Sequence, residues 1–255
     1  MRRSLKQTWV LFGRSMRHIL RSPDTIMTVA IQPIIFMLLF VYAFGGAVKS
    51  SLPPSTNYVT YQLPGILIMT IAMGITYSAI RVFLDKQKGM LSRLNSMPIG
   101  RSAFLWGHIL TSLTSNAISL AFVIVMAYVM GFRSSASLPE WFMIIGLLAL
   151  LTLALTWLAV IAGLTAKTAE GASAISYPVA FLPFFSSTFV PLETMPTVLR
   201  VFAERQPTTP VVETLRALLN GAPAGNNAWI ALAWCFGILA VAWFLATRLY
   251  KRQIG

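Results

Sequence analysis

Almost every charge in this 255-residue chain lies in the gaps between six long uncharged stretches. They run Thr25–Val48, Ser50–Ile80, Ser102–Phe132, Trp141–Ala166, Gly171–Leu192 and Ala217–Thr247. A helix needs roughly 20 apolar residues to cross the hydrocarbon core of a bilayer, and each stretch holds one such helix. Only 11% of the residues are charged, against about 25% in a soluble domain. The expected fold is therefore all-α and integral to a membrane, one domain over 1–255 with six transmembrane helices. The spans are expected at about 25–45, 63–82, 106–131, 141–166, 172–190 and 228–247.

A net charge of +13 would suit a nucleic-acid binder, but its distribution argues against that class. Lys and Arg alternate in density from loop to loop. The N-terminal side of the spans carries fifteen and the opposite side five. By the positive-inside rule both termini are expected in the cytoplasm, and an even number of spans agrees. Cys235 is the single cysteine, so neither a disulfide framework nor a Cys/His metal site is expected. His18 and His108 stand alone in sequence and read as interfacial polar residues. The basic start runs into a full-length span, so a cleaved signal peptide is not expected.

Residues 3–21 read as an amphipathic helix lying in the interface. Leu5, Trp9, Phe12, Met16 and Ile19/Leu20 mark one face; Arg2, Arg3, Lys6, Arg14, Arg17 and Arg21 supply the cationic remainder. It serves either as an anchor on membrane lipids or as an elbow that also touches a cytoplasmic partner. Ser22-Pro23-Asp24 has the residues of a helix start. In the first span Pro33 predicts a kink, and Gln32 should face protein or water. Met69, Met73 and Tyr77 share a face of the second span, which Pro64-Gly65 opens. The fifth span, with Pro178 and Pro183, reads as a broken helix whose aromatics either line a path or pack on neighbours.

Residues 191–226 hold Pro191, Pro196, Pro207, Pro210 and Pro223 and two short apolar-periodic segments. One contains Val198, Leu199, Val201 and Phe202; the other contains Val211, Val212, Leu215, Leu218 and Leu219 and ends at Asn220-Gly221. Neither is long enough to cross. They read as a pair of short re-entrant helices before the last span, or as a folded external cap. In the second loop Met90, Leu91, Leu94 and Met97 form an apolar stripe on a short helix ending at Pro98. That helix lies on lipid or docks a soluble partner.

No span centre carries Asp, Glu, Lys or Arg, which disfavours an ion-coupled carrier. The chain has no Gly-rich Lys-Ser/Thr phosphate loop and no catalytic or metal constellation. An exporter of this kind must borrow its motor from another subunit.

The order of elements resembles an ABC type-2 exporter permease of the daunorubicin-resistance type. One motif that carries the resemblance is Asp85-x-x-x-Gly89-x-x-x-x-Leu94-x-x-x-Pro98-x-x-Arg101. The other is Phe189-Val190-Pro191-Leu192-x-x-Met195-Pro196, followed by Gln206-Pro207-x-Thr209-Pro210 and Leu215-Arg216-x-Leu218. Lys86, Lys88 and Met90 depart from the second acid and the Thr common in the family's coupling loop.

The resemblance implies a bacterial cell-membrane subunit paired with a second permease protomer, identical or not, and two copies of an ATP-binding subunit. ATP and Mg would be bound by that subunit, so no cofactor is expected here. The coupling surface would comprise residues 83–98, with Asp85, Gly89, Leu91, Leu94, Met97 and Pro98 at its centre, and the N-terminal elbow. A substrate path would draw on the first, second and fifth spans, through Gln32, Phe36, Phe40, Met69, Met73, Tyr177, Phe181, Phe184 and Phe185. The expected function is export of hydrophobic or amphipathic small molecules such as a drug, antibiotic or lipid. Export of a lipid-linked glycan and a structural role without transport are the alternatives.

Overall fold

The computed structural model describes residues 9, 12, 13, 16, 31–46, 57–90, 103–189 and 191–254. Among them there is no strand. The α-helices are α1 (Gln32–Leu39), α2 (Tyr58–Gln87), α3 (Ala103–Val129), α4 (Leu138–Thr165), α5 (Ala169–Phe181), α6 (Thr197–Arg205), α7 (Thr208–Leu219) and α8 (Gly225–Ile254). Of the expected interfacial helix only Trp9, Phe12, Gly13 and Met16 fall inside the description; they are helical, with the Trp9 and Phe12 rings 5.2 Å apart.

Four of the expected spans, α2, α3, α4 and α8, are helices long and apolar enough to cross a membrane. Of the first, only residues 31–46 are described; the fifth is shorter. α1 passes into a π-helical turn at Phe40–Phe44. Pro33 is buried at the second residue of α1, two residues after the π-helical Ile31. Among the described residues π-helical geometry thus flanks α1 on both sides, at Ile31 and at Phe40–Phe44. The 13 residues of α5 rise about 20 Å, and a 3₁₀ turn at Leu182–Phe185 adds about 8 Å. That segment falls just short of a core about 30 Å thick, because Pro178 and Pro183 interrupt the ladder of backbone bonds.

The helices alternate in direction. The starts of α2 and α4 and the ends of α3, α5 and α7 share one end of the bundle. There Ser135 N–H donates to the Leu219 carbonyl at 3.2 Å, and Tyr61 Oη to the Ser187 carbonyl at 3.3 Å. At the other end α2 finishes beside the start of α3 and the end of α4, and Phe104 stacks on Tyr250 of α8 at 5.8 Å.

α2 is the hub, packing on α1, α3, α4, α5 and α7. Its apolar window is 67% buried, against 22% for α8. Close approach is bought by small residues: a side chain at Gly163 of α4 would collide with the Ala79 carbonyl and Val82 of α2. Several hydroxyls inside the spans satisfy themselves locally. Thr70, Thr111 and Thr152 each donate to the carbonyl four residues back, at 2.7–2.8 Å.

The starts of α2 and α4 lie further out than the expected spans. Asn57 caps α2 by accepting from Val59 N–H at 3.0 Å, so α2 begins before Pro64 rather than at it. Ser137 caps α4: its N–H and hydroxyl both donate to Glu140, at 2.6 and 2.7 Å.

Candidate functional site

At the Gln87 end of α2, Gly89 ends the helix. Its φ of +69° is the left-handed conformation that glycine adopts freely. Lys88 N–H returns to the Leu84 carbonyl at 2.9 Å and Gly89 N–H to that of Lys86 at 3.0 Å. One turn earlier Asp85 Oδ2 lies 3.2 Å from His108 Nε2 of α3. His108 is buried and edge-on to Phe104 at 4.6 Å. Lys86 Nζ donates to the Leu164 carbonyl at the end of α4. Two adjacent residues of the expected coupling loop thus tie α2 to α3 and to α4. Leu91, Leu94, Met97 and Pro98 lie outside the described residues.

His108 stands alone in the sequence, but in the fold it is the partner of Asp85. The signal was present, since an acid at a span end needs a partner and His108 is the titratable group nearest the start of the next span. Deeper in the bundle Ser78, Ser112 and Thr156 join α2, α3 and α4. The Ser78 and Ser112 hydroxyls are 2.8 Å apart and Thr156 Oγ1 lies 3.0 Å from Ser112 Oγ. Arg81 Nη2 donates to Ser78 Oγ at 3.2 Å, linking the hydroxyls toward the Asp85 end.

The expected path residues separate into two groups. Phe40, Phe181 and Phe184 come together around Phe189, which the path reading omitted. Phe40 stacks on Phe189 at 4.0 Å and 14°; Phe184 lies 5.5 Å from Phe189 and 5.8 Å from Phe181. These rings join α1 to the broken end of α5. Gln32 and Phe36 are half-buried on α1, and Tyr177, Phe181 and Phe185 are exposed. Met69 is different: it is 2% exposed and packs in the core, with Met73 half-buried beside that core. A small apolar cavity of about 80 Å³ lies inside the bundle, lined by Ile68, Leu155, Val179, Pro183, Val211 and the buried Cys235 among others.

The second expected motif occupies the Asn57 end of α2. Gln206 Nε2 donates to the Phe185 carbonyl, and Thr209 Oγ1 to the Ala203 carbonyl at 2.6 Å. Arg216 of α7 reaches furthest. Its Nη2 donates to the Ser187 carbonyl at 2.8 Å, its Nε and Nη2 to the Tyr61 carbonyl at 3.3 Å, and its Nη1 pairs with Glu213. The guanidinium sits 4.0 Å above the Tyr61 ring. Pro64 offers no N–H to the Thr60 carbonyl, and Arg216 binds the carbonyl of the next residue, Tyr61. Next to it Gly65 lies so close to Thr188 that a Cβ would overlap its methyl. The pairing of Arg200 with Glu204, at 2.9 Å on the exposed α6, holds that guanidinium above its ordinary range.

Comparison with known proteins covers both ends. Residues 6–220 match the family model described as ABC-2 type transporter. The chain is 26% identical over 241 residues to a daunorubicin resistance ABC transporter permease protein of Streptomyces coeruleorubidus, covering 94% of this chain and 84% of that one. It is 26% identical over 238 residues to a probable doxorubicin resistance ABC transporter permease protein of Mycobacterium tuberculosis, covering 92% and 84%. A putative transport permease of Cyanophora paradoxa is 26% identical over 231 residues, covering 89% and 77%. With most of its length matched, and the Asp85 and Arg216 motifs seated at opposite ends of one hub helix, the chain belongs to the ABC-2 type transporter family as a permease related to drug-resistance permeases.

Proposed function

We propose that this chain is the membrane-spanning subunit of an ATP-driven exporter of hydrophobic or amphipathic small molecules: a drug, an antibiotic or a lipid. The likeness to a daunorubicin resistance permease along 94% of the chain carries the reading. The motor is a separate ATP-binding subunit, two copies beneath a pair of permease protomers. The membrane is a bacterial cell membrane, with the Asp85 end and both termini on the cytoplasmic side, as the excess of Lys and Arg there supports.

In this reading residues 83–98, through Asp85, Gly89, Leu91, Leu94, Met97 and Pro98, receive the motor's movement. Because Asp85 meets His108 and Lys86 meets the Leu164 carbonyl, a push on that loop acts on α2, α3 and α4 together. ATP binding need favour one packing of the bundle by only a few kcal/mol to change which state is populated. Cargo would travel along the aromatic face of α1 and α5, where Phe40, Phe181, Phe184 and Phe185 offer apolar surface, with Phe36, Gln32 and Tyr177 beside them. Met69 and Met73 would support that path from behind.

The test is copurification with candidate ATP-binding subunits, reconstitution in liposomes and measurement of ATP hydrolysis stimulated by anthracyclines. Stimulated hydrolysis that Leu94→Glu abolishes, with membrane insertion intact, is the expected result. Sustained uphill pumping by the chain alone would overturn the reading.

A further inference from the structure

The Asn57 end of the bundle holds a cavity that the transport reading does not use. It measures about 430 Å³ and is lined by Asn57, Thr60, Tyr61, Gly131, Arg133, Arg216 and Asn220. Two arginines belong to that lining and, among the described residues, no carboxylate does. Glu213 is held on the Nη1 side of Arg216, leaving Arg133 without an acidic partner among the described residues. The Arg133 head is oriented rather than loose: Nη1 donates to the Phe132 carbonyl at 2.9 Å and the Tyr128 carbonyl at 3.2 Å. Nε and Nη2 keep their donors for another acceptor. The cavity also opens on the first turn of α2, where the peptide dipoles of a 30-residue helix favour negative charge. Thr60, Asn57 and Asn220 add hydroxyl and amide groups suited to the oxygens around such a charge.

We infer that this cavity binds a phosphate group, with Arg133 as the principal ligand and Arg216 as the fixed cation behind it. Planar guanidinium forks match phosphate oxygens, which favours phosphate over a simple halide. Two sources supply that chemistry: the headgroup of an anionic phospholipid, or free phosphate. The inference is independent of the cargo and of the motor, so it stands or falls separately from the proposed transport function.

The experiment uses the full chain purified in a non-ionic detergent. Arg133→Gln removes the free donors, and Arg200→Gln makes the same charge change on the exposed face of α6 as a control. Arg216 is left intact because it holds the fold. In one arm, native mass spectrometry follows retention of phosphatidylglycerol against phosphatidylethanolamine. In the other, the thermal midpoint is followed against inorganic phosphate, with chloride at equal ionic strength.

Loss of one or more hydrogen bonds between charged groups should weaken binding about tenfold or more in Arg133→Gln, and leave Arg200→Gln like the wild type. Selective retention of phosphatidylglycerol identifies a lipid headgroup. A phosphate-dependent rise in the midpoint without lipid selectivity identifies the free anion. If neither arm distinguishes wild type from Arg133→Gln, or if Arg200→Gln behaves as Arg133→Gln does, the site is not there.

Discussion

At its Asn57 end α2 is held by a cation bonded to backbone carbonyls of two separate segments, Tyr61 and Ser187; at its Gln87 end it is held by the side-chain pair Asp85–His108, beside Lys86 on the Leu164 and Ala166 carbonyls. The first arrangement has few alternatives. An arginine is always charged, its fork is rigid, and the two carbonyls it satisfies belong to different segments of the chain. The second joins two titratable side chains that can part and find water or other partners. A permanent anchor at one end and an exchangeable tie at the other would let α2 pivot about its Asn57 end. The same contrast divides the two short helices before α8. α7 is buried along most of its length against α2, α4 and α8, whereas α6 leaves Val198, Leu199, Val201 and Phe202 exposed.

The comparison breaks first at Arg216. Arg216→Ala should cost about 3 kcal/mol, since it strands Glu213 and the Tyr61 and Ser187 carbonyls. A thermal-shift measurement in detergent reads this, and a loss no greater than that of Asp85→Asn would remove the distinction between anchor and tie. Gly65→Val should come next, at about 2 kcal/mol, because Thr188 is fully buried and has no free space to give. Asp85→Asn should cost only about 1 kcal/mol of stability, yet lower cargo-stimulated ATP hydrolysis in the assembled complex. A variant that keeps full stimulation would show that Asp85 is merely structural. Ser112→Ala should have the smallest effect, about 0.6 kcal/mol, the usual worth of a hydroxyl contact between helices in a membrane.

Long uncharged runs made α2, α3, α4 and α8 legible, because a bilayer demands length and apolarity before anything else. Their true starts, for α2 and α4, needed Asn57 and Ser137, polar residues ahead of the expected spans that cap the helices. The broken character of the fifth span was readable from Pro178 and Pro183, and the two short helices from their apolar periodicity. What separates α6 from α7 was not readable, since both have one apolar stripe and only the fold decides which stripe is covered. Met69 shows the same limit: a hub helix is packed on several sides, so sharing a face with Met73 says little about what that face meets. The Arg216 contacts join residues up to 155 positions apart, beyond the reach of any local pattern. Asp85 and His108 lie closer, but across a loop, and each looked unremarkable without the other.

Cys235, sealed among Ile68, Leu155 and Val211 in the bundle interior, has a practical consequence. A thiol that reagents in water cannot reach makes the natural protein a silent background for site-directed labelling. Single cysteines introduced on α6 and beside Asp85 would report opening at either end by fluorescence or spin label, without first stripping the chain of its own sulfhydryl.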